Sequence, residues 1–179
     1  MLHIGCGAGY YTAILSELVT RSGAVVAWDV EPSLFEAARH NLDHWPNVSI
    51  ALQSGTAPPI PESDIIYVCA GCTQPMRAWV EALSDGGRLL FPLTPGWDFG
   101  GMLMITRQGD RYGARFVSRC SFIPCIGGSA LEQQKPLREA FAAGNMDSVS
   151  SLQLGDGKGQ SGAWFVGDDW WLSVSQVRQ

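Results

Sequence analysis

The sequence has no run of 18 apolar residues, and its start shows neither the basic stretch nor the apolar core of an export signal. Membrane spans and secretion are therefore not expected, and a cytoplasmic protein is. It has no surplus of cations either: 12 Lys and Arg stand against 17 Asp and Glu, a formal charge of −5. A row of phosphates cannot be neutralised by that balance, which argues against nucleic acid as a partner. The cysteines do not come in an even set. Cys6, Cys69, Cys72, Cys120 and Cys125 read as free buried thiols rather than a disulfide framework. No internal repeat or long low-complexity segment divides the 179 residues, which at 46% apolar composition can bury one sizeable core.

What is present is an alternation of periods. Tyr11 to Thr20 carries apolar residues at helical spacing, and Arg21-Ser22-Gly23 supplies a stop. AVVAWDV reads as a strand buried on both faces, and Pro32-Ser33 opens a second helix, LFEAARHNL. Val48 to Leu52 is a weak strand and DIIYVCA a stronger one. A short helix, Pro75 to Leu83, ends at Asp85-Gly86-Gly87 and is followed by the strand RLLFPL. Alternation of this kind implies a mainly parallel sheet covered on both faces. From Gly101 the pattern changes to an antiparallel hairpin turning at Gln108-Gly109-Asp110, expected at the sheet edge. A last helix, Leu131 to Ala143, and a glycine-rich turn, Gly155 to Gly162, precede a second hairpin turning at Gly167-Asp168.

The stretch HIGCGAGYYT, His3 to Thr12, carries the chemistry. Gly5, Gly7 and Gly9 let the backbone approach a ligand, and the helix start behind them offers free N–H groups, as a nucleotide-like ligand requires. The dinucleotide fingerprint G-x-G-x-x-G is not met, because Tyr10 holds its last position. Asp29 ends the next strand 20 residues after Gly9, the separation at which an acid accepts ribose hydroxyls. The bland alternative is a tight strand-to-helix turn beside a solvated acid.

In this order and spacing, GCGAGYYTA, AWDVEPSLFEAARHNL, DIIYVCAG and LSDGGRLLFPL resemble class I S-adenosylmethionine-dependent methyltransferases. Within that class the chain is similar to the protein-L-isoaspartate O-methyltransferase family, from Leu2 to about Phe141, including MITRQGDRYGARFVSRCSFIPC. The resemblance implies an α/β, Rossmann-like class I methyltransferase fold, a mainly parallel sheet with an antiparallel edge hairpin. Residues 1–143 would form the cofactor-binding domain and residues 144–179 a hairpin extension packed on it. It implies S-adenosylmethionine as cofactor, with Gly5, Cys6, Gly7 and Gly9 near its methionine part, Asp29 on the ribose and Val30 on the adenine. Ser54 and Gly55 fall in the family's G-D-G stretch near the adenine, Ser54 standing where Asp is usual; His3 stands where Glu or Asp is usual.

The implied activity is methyl transfer to a protein or peptide carboxylate of isoaspartyl type. The alternatives are a catalytically silent binding domain and, behind it, a nicotinamide-dependent oxidoreductase. A carboxylate acceptor needs alignment and exclusion of water rather than a strong base, so no catalytic residue can be named. In that family a helical segment precedes the glycine loop, so the chain reads as the carboxyl-terminal core of a longer methyltransferase. The entering strand, Met1 to Ile4, is then short, its neighbouring edges are expected uncovered, and the apolar surface left bare is expected to drive self-association.

Other residues carry weaker signals. Cys69-x-x-Cys72 with Cys120 and Cys125 is compatible with a four-thiolate zinc site or a redox pair, though buried small side chains are the expected reading. His40 and His44 lack the Glu of H-E-x-x-H and read as a solvated helix end. Trp164, Trp170 and Trp171 read as a hairpin capping the core rather than a stacking platform. Thr73, Gln74 and Pro75 are candidates for the acceptor pocket, and the loop Thr94 to Gly101 for a cover over it.

Overall fold

Leu2, His3 and Ile4 are all buried, and they form the entering strand β1 (Leu2–Ile4) of a computed structural model that describes residues 1–20, 22–157 and 161–174. The chain continues through α1 (Tyr10–Leu18), β2 (Val25–Asp29), α2 (Pro32–Asn41), β3 (Val48–Leu52), β4 (Ser63–Val68), α3 (Arg77–Glu81) and β5 (Leu83–Leu93). Pro32 opens α2 at a position where a missing N–H costs nothing. The five strands pair in parallel in the order β3-β2-β1-β4-β5, the expected α/β core.

Two expectations change here. The short β1 has no open edge, since Leu2 pairs with Val26 on one side and with Ile66 on the other. The helix read as Pro75 to Leu83 is only Arg77–Glu81, and Asp85-Gly86-Gly87 lies inside β5. Ser63 pairs with Leu83 while Ile65 pairs with Arg88, so the surplus residues bulge out of β5 around Gly86, whose φ is +76°.

Beyond β5 the sheet turns antiparallel through β6 (Gly100–Gln108) and β7 (Arg111–Cys120). After α4 (Leu131–Ala143) and a 3-10 turn come β8 (Val149–Leu154), β9 (Ala163–Val166) and β10 (Trp170–Val174). Together they complete a ten-stranded sheet ordered β3-β2-β1-β4-β5-β6-β7-β8-β10-β9. The β6–β7 hairpin expected at the edge is therefore interior, because β8 adds to β7 and β10 to β8. The edge hairpin is β9–β10. Residues 158–160 of the glycine-rich turn lie outside the described residues. Trp170 is fully buried, and Trp164 packs edge-to-face on Phe116 and Phe141, so these two tryptophans cap the core as expected, while Trp171 lies beside Gly157.

The two faces of the central strands differ. Ile66 and Val68 of β4 and Leu89 and Phe91 of β5 are wholly buried in one core with Trp79 of α3 and Leu137 of α4. The alternate residues Ile65, Tyr67, Arg88 and Leu90, with Met104 of β6, face an open groove of about 580 Å³ beside Tyr11, Ile14 and Leu18 of α1. Among the described residues, no helix is long and apolar enough to cross a membrane.

Candidate cofactor-binding site

The loop between β1 and α1 is built on left-handed backbone. Gly5, Gly7 and Gly9 have φ of +74°, +55° and +94°, which residues with a Cβ adopt only at a cost. The N–H groups of Gly5 and Cys6 both donate to the Trp28 carbonyl, at 2.8 and 3.1 Å, tying the loop to the end of β2. Asp29 completes the join: its Oδ2 accepts the Gly7 N–H at 2.8 Å and its Oδ1 the Glu31 N–H at 3.0 Å. Asp29 is 7% exposed and its carboxylate is fixed in orientation, and each oxygen retains acceptor capacity beyond the one bond it receives.

These groups border a cavity of about 430 Å³ at the carboxyl ends of β1, β2 and β4, where open α/β sheets bind ligands. Gly5, Cys6, Gly7, Asp29, Val30 and Gly55 all line it. Gly9 and Ser54 do not. Gly9 caps the start of α1 against α2, and a Cβ there would come within 2.7 Å of Leu42 Cδ1. Ser54 accepts the Thr56 N–H at 3.3 Å, the role of a turn residue. A Cβ at Gly7 would meet nothing within 4 Å, so its absence leaves room above the loop.

Other lining residues escaped the sequence reading. Glu31 and Gln53 flank Asp29 and Gly55, and the far wall comes from Phe122 to Ile126. That wall is held through Gly71, whose N–H donates to the Ile123 carbonyl and whose carbonyl accepts from the Cys125 N–H, each at 2.8 Å. Thr73, Gln74 and Pro75 are not among the lining residues; buried Thr73 instead accepts the Ala130 N–H at 2.8 Å. The loop Thr94 to Gly101 is also apart from the cavity, with Asp98 ion-paired to Arg138 of α4.

Behind the glycine loop lies a closed polar chain. His3 Nδ1 meets Thr12 Oγ1 at 2.8 Å, and His3 Nε2 meets Cys69 Sγ at 3.3 Å. Burial holds the His3 imidazole down to about 4, the Asp29 charge opposing weakly. Burial also pushes the Cys69 thiol up, and desolvation with Asp29 nearby pushes Cys6 up to about 12. Cys69 and His3 are thus both neutral, not a thiolate–imidazolium pair. Among the described residues, no group of three or more His, Cys, Asp and Glu gathers to hold a metal, and His40 and His44 are exposed.

With this geometry established, comparison with known proteins is decisive for the family. Residues 1–130 match the family described as protein-L-isoaspartate(D-aspartate) O-methyltransferase, PCMT. The chain belongs to this family. Among curated PCMT relatives, the protein-L-isoaspartate O-methyltransferase of Methanococcus maripaludis is 31% identical over 131 residues, covering 71% of this chain and 61% of that protein. That of Halorhodospira halophila is 33% identical over 132 residues, covering 72% and 58%. The PCMT chain described here thus spans about three-fifths of the length of these relatives.

Solved structures agree on the fold. A protein-L-isoaspartate O-methyltransferase superimposes with a TM-score of 0.65 at 18% identity, covering 98% of this chain and 63% of that one. A PCMT structure from Plasmodium falciparum, in complex with S-adenosyl-L-homocysteine, gives 0.57 at 16% identity, covering 70% and 64%. The class I methyltransferase fold expected from the sequence is the fold of this chain.

Proposed function

We propose that the chain binds S-adenosylmethionine in the 430 Å³ cavity and acts in methyl transfer to a protein or peptide carboxylate of isoaspartyl type. The observation that carries this reading is the convergence of Gly7 and Asp29 on one cavity at the carboxyl ends of parallel strands, in a chain of the PCMT family. The residues fit such a cofactor. The open space over Gly7 admits its amino-acid portion, the Asp29 oxygens have acceptor capacity for ribose hydroxyls, and Val30 and Leu34 offer an apolar surface to the base.

When bound, S-adenosylmethionine supplies a methyl group on a sulfonium. The protein's own contribution is position. Asp29, held by two backbone N–H groups, orients without reorganisation, and Phe122 to Ile126 supply the opposite border of the cavity. A carboxylate acceptor is already ionised at neutral pH, so neutral His3, Cys6 and Cys69 need transfer no proton.

A catalytically silent binding domain is the second reading, favoured by His3 and Ser54 at positions where the family usually has acids. Incorporation of labelled methyl into an isoaspartyl peptide, with its aspartyl isomer as control, separates the two. Label in the first peptide alone supports the enzyme; cofactor binding with label in neither supports the silent domain. The apolar groove on the bare face of β4 to β6 supports the further reading that two copies associate there, which light scattering at rising concentration tests. All five cysteines are free, which fits a reducing, cytoplasmic setting.

A further inference from the structure

The two thiols of the Cys69-x-x-Cys72 motif diverge. Cys69 Sγ turns to His3 at 3.3 Å, whereas Cys72 turns to a cysteine far along the chain, Cys125. A parallel β-bridge between Gly71 and Pro124, closed by the two hydrogen bonds of Gly71, sets that approach. Residues following a bridged pair in parallel strands stand side by side at about 4.8 Å, within the Cα separation of ~4.4–6.8 Å that a disulfide spans. The sulfurs occupy one locality: a Cβ added at Gly128 would lie 2.7 Å from Cys72 Sγ and 3.2 Å from Cys125 Sγ.

The two groups are not equivalent. Cys72 is fully buried, while Cys125 is half-buried on the cavity wall. The proximity of the two sulfurs lowers the Cys125 pKa and raises that of Cys72, whose thiol donates to the Ala70 carbonyl at 3.7 Å. Reagents therefore reach the more acidic thiol first.

We infer that Cys72 and Cys125 form a reversible disulfide on exposure to a hydroperoxide, Cys125 reacting first and Cys72 resolving. The Cys125 thiolate attacks the terminal oxygen of the peroxide; an S–O bond forms, the O–O bond breaks, and the departing alkoxide or hydroxide takes a proton. The sulfur of Cys72 then attacks the Cys125 sulfenic acid; the S–S bond forms, the S–O bond breaks, and hydroxide leaves as water with the Cys72 proton. Two thiols are oxidised by two electrons, and one hydroperoxide is reduced to an alcohol, or water, plus water. The product fastens the wall Phe122 to Ile126 covalently to the segment that follows β4, so the cavity border becomes sensitive to oxidant. The inference does not depend on what the cavity binds, and neither does its test.

The test treats the reduced full chain with one equivalent of hydrogen peroxide, then combines thiol titration after denaturation with peptide mapping without reduction. The expected result is a fall from five titratable thiols to three, one cross-link joining the Cys72 and Cys125 peptides, and recovery of all five with dithiothreitol. In Cys72→Ser, Cys125 should instead accumulate sulfenic acid that dimedone traps. A cross-link between any other cysteines, an unchanged thiol count, or oxygen added to Cys125 of the wild-type chain while Cys72 stays free overturns the inference.

Discussion

Two concavities adjoin Tyr11 of α1, and the larger of the two is not the better ligand site. The groove of about 580 Å³ is walled by Tyr11, Ile14, Leu18, Ile65, Leu90 and Met104, with Arg88 as the charged side chain among its described lining residues. Its side chains are the outward members of strands whose inward members are fully buried. The cavity of about 430 Å³ brings left-handed glycines, an oriented carboxylate and a second acid, Glu31, to one place. Volume comes cheaply wherever half a parallel sheet lacks a covering layer. A site for a polar cofactor instead needs convergent groups held in advance.

The sharpest break of this comparison is at the loop itself. Gly9→Ala forces a Cβ into Leu42 at positive φ and should cost about 2–4 kcal/mol of stability, read from the urea midpoint. Gly7→Ala meets no atom and should cost about 1 kcal/mol, yet its methyl enters the space over the loop and should weaken adenosylmethionine at least ~tenfold. Equal destabilisation by both would mean that Gly7 has no role beyond the turn.

Next comes pH. The folded His3 titrates at about 4 against 6.5 in the unfolded chain, so between these values only the unfolded chain binds the proton. Stability from this group is complete above pH 6.5, falls as pH drops towards 4, and declines no further below that. The loss should approach about 3 kcal/mol. Denaturant midpoints across this window should change less in His3→Asn; an identical acid limb in the variant would show that the loop rests on some other group.

Asp29→Ala should weaken adenosylmethionine by about 1–3 kcal/mol in calorimetry, through loss of the acceptor and release of the Gly7 N–H. An unchanged affinity would remove Asp29 from the site. The smallest effect on the cavity is expected from the groove: Leu18→Glu should shift cofactor affinity by less than about 0.5 kcal/mol while abolishing concentration-dependent association. Association that survives the change would place the contact elsewhere.

The cavity's near side was legible in the sequence because it is local. A glycine loop, a helix start and an acid at the next strand end are one supersecondary unit, and Gly5, Gly7, Asp29 and Val30 meet as that unit dictates. Its far side was not. Phe122 to Ile126 reach the cavity through a single bridge at Gly71, for which no spacing rule exists. Ser54 and Gly9 are not among the lining residues: the Ser54 hydroxyl turns to Thr56, and Gly9 packs against Leu42. Asp85-Gly86-Gly87 looked like a helix stop since glycine at positive φ serves stops and bulges alike. The strand Val149–Leu154 passed unseen, its short alternation gaining meaning only from β7 and β10 on either side. The bare sheet face belongs to the same class: the expected open edge was wrong because a three-residue strand suffices to pair both neighbours.

The central claim is that the smaller cavity, bordered by the glycine loop and Asp29, is the cofactor site. Calorimetric titration of this chain with S-adenosylmethionine and S-adenosylhomocysteine, with NAD as control, tests it most directly. Micromolar binding of the first two, weakened in Asp29→Ala and absent for NAD, is the predicted result. Failure of both to bind, or binding of NAD in their place, would contradict it.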